Sequence, residues 1–159
     1  NGIQVAGGIV QRHSNHSFIP NIKTGNYMNK LMAKIVSYRL GAQDELMLNS
    51  LGHLTESITG TFFFVQNGCL MTPSLDCGIL AGITRDLVMR LCKESGIILE
   101  QGAWPVEILE SADEIFLTGS VKHIMPVTRI NNKIIGNGKP GPITRSLIGL
   151  YDDFLERLE

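Results

Sequence analysis

The sequence predicts a mixed α/β (α+β-like) fold in which a closed or strongly bent sheet of short strands is flanked by a few helices. Three observations support this prediction. Short apolar segments alternate with turn residues, several segments carry apolar residues at helical spacing, and Asn67-Gly68 joins two strand-like segments. The chain has 159 residues, of which 43% are hydrophobic, enough for one ordinary domain or two small ones.

The chain opens with a predicted strand, a loop and a helix. Residues 2–10 are short and apolar, which predicts a strand, and the polar residues 11–22 predict a loop. Apolar residues recur at spacings of four, four and three between residues 26 and 40, which predicts one helix ending at Gly41. This apolar stripe consists of Tyr27, Leu31, Ile35 and Tyr38.

A hairpin is the clearest local prediction in the chain. It follows two short predicted strands, residues 45–48 and 53–56, and consists of residues 61–65 and 69–72. Asn-Gly supplies the two positive-φ positions of a type I′ turn, so Asn67-Gly68 should join these strands directly. The three phenylalanines at positions 62–64 should belong to the core.

The second half of the chain adds helices and further strands. Residues 84–95 predict a helix that ends at Gly96, and residues 107–112 predict a short one. Residues 114–118 and 124–130 predict strands, the second turning through Asn131-Asn132 into Ile134-Ile135. Pro142 opens a last helix. Its apolar side consists of Leu147, Leu150, Tyr151, Phe154, Leu155 and Leu158.

Composition limits the possible partners and compartments. Fourteen basic and fifteen acidic residues leave a net charge of −1, which disfavours a nucleic-acid binder that neutralises phosphates. No apolar run approaches the ~18 residues of a membrane span. The three cysteines are odd in number and lack a CxxC pair, which disfavours a disulfide framework or a zinc ribbon and favours a reducing, cytoplasmic compartment. Because the chain begins at Asn1 without methionine, we expect a fragment or a processed product.

Two residues are candidates for acid–base or covalent chemistry. Lys23 stands between a loop and a helix, where burial would lower the pKa of its amine and allow a Schiff base with an aldehyde. Glu56 ends a strand where polar turn residues begin. Position alone favours a solvated surface side chain for both residues.

Two further segments can bind an anion. Residues 82–86 open a helix, whose first N–H groups lack partners and attract a phosphate monoester, although an ordinary Thr N-cap has the same sequence. The small-hydroxyl turn at residues 118–121 offers further donors or is a plain turn. His13 and His16 suit a metal poorly without a third ligand, so no metal site is predicted.

In their order along the chain, these segments resemble the large C-terminal domain of the class IV aminotransferases, the pyridoxal-phosphate (PLP) enzymes of fold type IV. That family includes branched-chain and D-amino-acid aminotransferases and aminodeoxychorismate lyase. The resemblance runs from about Lys23 onward. The segments that carry it are KTGNY at 23–27, GHLTE at 52–56, NG at 67–68 with TP at 72–73, GITR at 82–85, ADEIFLTGS at 112–120, MPV at 125–127, IG at 135–136 and GKPGP at 138–142.

The resemblance implies roles for individual residues. Lys23 matches the lysine that holds PLP covalently and moves a proton at the substrate Cα, and Glu56 matches the carboxylate that faces the pyridine nitrogen. A buried anion there keeps that nitrogen protonated. Tyr27 matches a residue near the cofactor phenolate, and Leu80 matches one that packs on the ring face. The amides of Ile83 and Thr84 and the hydroxyl of Ser120 match groups that bind the phosphate. The amides of Val121 and Lys122 match groups that bind the substrate carboxylate.

The resemblance also implies a bent mixed sheet or pseudo-barrel flanked by helices, a homodimer, and amino-acid and 2-oxo acid substrates. We expect residues 1–22 to form an inter-domain segment and first strand, residues 23–159 the cofactor-binding domain, and the family's small N-terminal domain to be absent. Two alternatives remain: a lyase like aminodeoxychorismate lyase, disfavoured by the GKPGP segment, and a non-catalytic ligand-binding fragment. Thr61 supports the second, because the family has asparagine there.

Overall fold

The computed structural model describes residues 2–11 and 27–158, and this part of the chain combines one large sheet with three α-helices. Two 3₁₀ segments, Leu75–Cys77 and Val106–Ser111, lie in the connections. The helices are α1 (Met28–Arg39), α2 (Ile83–Ser95) and α3 (Pro142–Glu156). The strands are β1 (Ile3–Gln11), β2 (Asp44–Leu48), β3 (Leu54–Ser57), β4 (Thr61–Gln66), β5 (Cys69–Pro73), β6 (Leu99–Gly102), β7 (Glu114–Gly119), β8 (His123–Ile130) and β9 (Lys133–Ile134).

Six of the strands form a closed ring. Their order is β3-β2-β1-β8-β7-β4, and β4 pairs with β3 again through Glu56 and Thr61. β1 runs parallel to both of its neighbours, whereas the other ring pairs are antiparallel. β5 and β6 extend the sheet from β4, and β9 pairs with β8. The mixed fold with a closed or strongly bent sheet is therefore confirmed.

The core has two parts because successive residues of a strand face opposite sides of the sheet. Phe62 and Phe64 pack into a cluster to which all six ring strands contribute, whereas Phe63 and Val65 face the helices. Phe63 stacks on Phe116 with ring centroids 5.0 Å apart. All three phenylalanines are fully buried, as predicted, and each such side chain stabilises the fold by roughly 1.5–3 kcal/mol.

The local turn and helix-end predictions are confirmed. Asn67 and Gly68 have φ values of 51° and 77°, as a type I′ turn requires, and Gly96 ends α2 in the left-handed region at φ 72°. Pro142 opens α3. The segment predicted as a short third helix is the 3₁₀ segment Val106–Ser111.

Helix α1 forms where the sequence predicts it, but its apolar stripe does not face the sheet. Tyr27, Leu31, Ile35 and Tyr38 are between 41% and 81% exposed. The helix packs through the small buried residues Ala33 and Ser37 instead. We use the name α1 apolar surface for Tyr27, Leu31, Ile35 and Tyr38 together with the exposed Met28 and Met32.

Some predictions fall on other parts of the chain. Residues 12–22 of the predicted loop, with His13 and His16, and the candidate Lys23 lie outside the described residues. Within the described ranges, no helix is both long and apolar enough to cross a membrane.

Candidate functional site

A cavity of about 400 Å³ lies where the β3–β4 turn, the end of β7 and the beginning of α2 meet. The closure of the ring brings these three segments together, although they are far apart in the sequence. The cavity is lined by Lys30, Glu56, Thr59, Gly60, Thr61, Leu80, Ala81, Gly82, Ile83, Thr84, Arg85, Thr118, Gly119 and Ser120. Predicted cofactor-binding residues from three separate motifs therefore share one cavity.

A buried carboxylate occupies one side of this cavity. Glu56 is 3% exposed, and its Oε2 accepts a hydrogen bond of 2.9 Å from the amide of Leu80. Its Oε1 lies 3.1 Å from Nζ of Lys30, whose side chain is 29% exposed. Although a lysine on a helix ordinarily has a solvated side chain, the side chain of Lys30 lines the cavity.

The other side of the cavity has the features of an anion site. Helix α2 begins after Gly82, and no side chain caps its first turn, so the helix start presents N–H groups. Ile83, Thr84 and Ser120 lie on this side. Oγ1 of Thr118 is buried and has no hydrogen-bond partner among the described residues. A buried hydroxyl without a partner is costly, and the hydroxyl of Thr118 is a donor that an anion in this cavity would satisfy.

Glycines allow the two turns beside the anion site to approach each other. A Cβ on Gly60 would lie 2.3 Å from the carbonyl oxygen of Thr118, and one on Gly119 would lie 3.0 Å from that of Thr59. Any side chain at residue 60 would therefore push the β3–β4 turn away from β7. This packing fixes Ser120, one residue beyond Gly119, beside the helix start.

Arg85 joins the start of α2 to the sheet. Its guanidinium is buried, and Nη2 donates to the carbonyl of Pro73 at 3.3 Å and to Oε1 of Gln101 at 2.6 Å. Burial lowers the pKa of Arg85, and the nearby carboxylate of Asp86 opposes this shift. Because these contacts tie the helix to β5 and β6, they fix the direction in which its first N–H groups point.

A buried aspartate connects the β3–β4 turn to the turn after β7. Asp44 is fully buried and accepts hydrogen bonds from the amides of Glu45 and Ile58. Its Oδ2 also lies 3.4 Å from Nζ of Lys122, which donates to the hydroxyl of Thr59 at 3.0 Å. The Lys122 side chain therefore has a structural partner, leaving its backbone amide as the group predicted to bind substrate.

The structure brings together most of the predicted cofactor residues. Glu56, Leu80, Ile83, Thr84 and Ser120 all line the cavity, together with Thr61, which stands where asparagine was expected. Tyr27, Val121 and Lys122 are not among the lining residues, so their contacts remain predictions, as does Lys23 beyond the described ranges. The positions of Lys30 and Arg85 in the cavity were not predicted, since only the closed ring places them here, whereas the hydroxyl of Thr118 belongs to the turn at residues 118–121 that was predicted to offer donors.

Comparison with known proteins agrees with the arrangement of the cavity. The family model described as amino-transferase class IV matches residues 3–130. A putative branched-chain-amino-acid aminotransferase of Methanocaldococcus jannaschii is 37% identical over 134 residues, covering 84% of this chain and 46% of the relative. A probable branched-chain-amino-acid aminotransferase of Aquifex aeolicus is 39% identical over 129 residues, covering 80% of this chain and 41% of the relative.

Solved structures give the same result. The branched-chain amino acid aminotransferase of Thermobaculum terrenum, in its PLP form, superposes with a TM-score of 0.92 at 33% identity, covering 98% of this chain and 51% of that chain. This chain thus spans about half the length of the relatives it matches. A family match over most of the chain and a shared fold at more than 30% identity lead to one conclusion: the chain belongs to the class IV aminotransferases.

Proposed function

We propose that this chain is the cofactor-binding part of a PLP-dependent aminotransferase. The reaction moves an amino group between an amino acid and a 2-oxo acid, with the donor in the branched-chain or D-amino-acid class. The observation that carries the proposal is the cavity that combines the buried Glu56 with an uncapped helix start. The names of the relatives from Methanocaldococcus jannaschii and Aquifex aeolicus support the branched-chain class.

The residues in the cavity fit the two ends of PLP. The N–H groups at Ile83 and Thr84 and the hydroxyl of Ser120 suit a phosphate monoester, and the buried hydroxyl of Thr118 lacks the acceptor that a phosphate oxygen would supply. At the other end, Glu56 suits a protonated ring nitrogen. Leu80 lies between the two ends in sequence and supplies an aliphatic surface for the ring.

Bound PLP supplies an electron sink that makes the substrate Cα proton removable. Glu56 would hold the proton on the ring nitrogen, because a buried carboxylate favours a cation beside it. Lys23 would bind the cofactor covalently and carry the proton at Cα, with the hydroxyl of Tyr27 near the cofactor phenolate. The amides of Val121 and Lys122 would hold the substrate carboxylate.

The assembly of the whole protein is part of the same proposal. We propose that residues 1–22 lead from a small domain outside this chain into the cofactor-binding domain of residues 23–159, and that the protein is a cytoplasmic homodimer. The relatives' length, about twice the matched part, supports the second domain. The exposed α1 apolar surface supports an interface, and three free cysteines favour a reducing compartment.

Covalent labelling of the protein expressed from its complete reading frame tests the proposal. After incubation with PLP and borohydride reduction, peptide mapping should place the cofactor on Lys23. Lys30 is the informative competitor, because its amine also lines the cavity, and label on Lys30 would contradict the assignment. Lys34 is the control lysine on the same helix, where it is exposed and donates to the carbonyl of Gln43.

Amino-acid donors distinguish an enzyme from a non-catalytic ligand-binding protein. An aminotransferase bleaches the long-wavelength absorbance of its bound cofactor when a branched-chain or D-amino acid is added, and a 2-oxo acid restores it. PLP binding without bleaching by any donor would favour the non-catalytic alternative that Thr61 keeps open. Release of pyruvate from aminodeoxychorismate would favour the lyase.

A further inference from the structure

The cavity contains a second charged group beside Glu56. Lys30 lies in the first turn of α1, and its Nζ is 3.1 Å from Oε1 of Glu56. The two partners differ in their surroundings, since the side chain of Glu56 is 4% exposed and that of Lys30 is 29% exposed. One partner is therefore fixed within the protein, and the other has a path to water.

In the site without cofactor, the ion pair compensates the buried charge of Glu56. A carboxylate taken out of water is costly unless a charged or hydrogen-bonding partner compensates it. The amide of Leu80 satisfies Oε2, and the ammonium group of Lys30 supplies a positive charge at Oε1. Lys30 is a long, flexible side chain at the edge of the cavity, so it can move its ammonium group into solvent at low cost.

We propose that Lys30 is a positioning residue that acts as a replaceable counter-ion for Glu56. This inference rests on the proposed function, since it requires the protonated ring nitrogen of PLP to bind Glu56. Two cations then compete for one carboxylate, because Lys30 and the ring nitrogen repel each other at this distance. Cofactor entry displaces the ammonium group from Oε1 towards the open side of the cavity.

The exchange has opposite effects on the two states of the protein. Before cofactor binding, Lys30 stabilises the fold by pairing with a buried charge. During binding, the same ion pair must be weakened, which lowers the affinity for PLP. Removal of the Lys30 charge should therefore destabilise the apoprotein and tighten cofactor binding. Removal of a residue that only shapes the cavity would instead lower both the stability of the apoprotein and its affinity for the cofactor.

Cofactor titration of Lys30 variants tests the inference in the protein expressed from its complete reading frame. Lys30→Met should bind PLP about five- to twentyfold more tightly than the wild type, because a partly buried ion pair no longer has to be broken. Its apoprotein should melt at a lower temperature, because Glu56 loses a counter-ion. Lys30→Arg keeps a cation near Glu56 and should retain the wild-type affinity. Lys34→Met removes the same charge one turn further along α1 and should leave the affinity for PLP unchanged, because Lys34 donates to the carbonyl of Gln43 and not to Glu56.

A spectroscopic measurement separates this role from a general effect on folding. With PLP labelled by ¹⁵N in its ring, the nitrogen in Lys30→Met should keep its proton to a higher pH than in the wild type, because a competing cation has been removed. Equal or weaker binding by Lys30→Met, or loss of the ring proton at the same pH, overturns the inference. If the wild type still binds PLP in that case, the proposed function stands. Failure of the wild type to bind PLP overturns both.

Discussion

Glu56 is the residue on which the proposed chemistry depends most, because its charge is buried and its position is fixed. Its Oε2 is held by the amide of Leu80, so replacement of the carboxylate by an amide preserves that contact. We expect Glu56→Gln to lower the rate of amino transfer by about 10²–10⁴-fold, since the amide no longer favours a protonated ring nitrogen. Steady-state kinetics with a branched-chain donor measure this loss.

Glu107→Gln is the matched control for this change. Glu107 is exposed in the 3₁₀ segment and does not line the cavity, so its variant should keep the wild-type rate. If Glu56→Gln transfers amino groups at the wild-type rate, the proposed role of Glu56 is wrong.

The cysteines differ in their expected reactivity. Burial raises the pKa of Cys92 to about 11, and only a thiolate reacts readily with an alkylating reagent. At pH 8.5, iodoacetamide should therefore modify the half-buried Cys69 well before Cys92, although burial also raises the pKa of Cys69. Mass spectrometry of tryptic peptides gives the order, and equal rates for the two thiols would contradict the packing of α2.

The same shift has a consequence for stability at high pH. In the unfolded chain, Cys92 should ionise near pH 8.5, well below its folded pKa of about 11. Above pH 8.5 the unfolded state therefore releases its proton first, and the free energy of unfolding should fall as the pH rises towards 11. Denaturant titrations should show a smaller fall for Cys92→Ala.

Among the elements, the start of α3 depends on a carboxylate from the sheet. Oε1 and Oε2 of Glu114, in β7, accept hydrogen bonds from the amides of Ile143 at 3.0 Å and Thr144 at 2.7 Å. The carboxylate thereby replaces a side-chain N-cap and compensates the positive end of the helix dipole. Gly141 leaves room for it, because a Cβ there would lie 2.1 Å from Cδ of Glu114.

This arrangement predicts opposite effects for two alanine substitutions, one at the start of α3 and one in its middle. Gly141→Ala must displace Glu114, so it should destabilise the fold by about 1–3 kcal/mol. Gly149→Ala lies in the exposed interior of α3 with nothing within 4 Å of the new Cβ, and it should stabilise the helix by about 0.5–1 kcal/mol. Thermal unfolding monitored by circular dichroism compares the two, and a neutral Gly141→Ala would contradict the capping role of Glu114.

Elements with local signals were the ones the sequence predicted well. The Asn67-Gly68 turn needs only positive φ at two adjacent residues, and the end of α2 needs only a glycine in the left-handed region. β6 was not predicted, because its parallel partner β5 supplies the pairing and its own four residues are partly polar. The orientation of α1 was also not predictable, since it depends on which surface the sheet offers to Ala33 and Ser37.

At the scale of the whole molecule, the ring explains which parts of the site could be predicted. Glu56 and the anion-binding residues followed from family motifs, each of which is continuous in sequence. The contact of Lys30 with Glu56 and the unsatisfied hydroxyl of Thr118 depend on the closure of β3 against β4 and the packing of Gly60 on β7. No local pattern carries that information.

The α1 apolar surface is the feature of the whole molecule that most requires a partner. It places six exposed apolar side chains on α1 and on the residue that precedes it, and contiguous patches of this kind promote association. In a chain of these 159 residues alone, we expect concentration-dependent self-association. Sedimentation velocity should show weaker self-association for the double variant Leu31→Glu/Ile35→Glu. Ile98→Glu changes a single exposed apolar residue on another segment and should have little effect on self-association.

The second domain proposed above should determine how tightly the cofactor is held. In the 159-residue chain the phosphate would contact only the start of α2 and neighbouring hydroxyls, and attraction at an exposed helix end contributes only about 0.3–1 kcal/mol. Ile83, the first residue of α2, is 85% exposed, so this side of the site is open to water. We therefore expect this chain alone to bind PLP weakly or not at all and to show negligible amino transfer. Absorbance titration with PLP compares the affinity of this chain with that of the protein expressed from its complete reading frame. Tight binding and rapid turnover by a monomer of 159 residues would show that the residues of this chain are sufficient for the site.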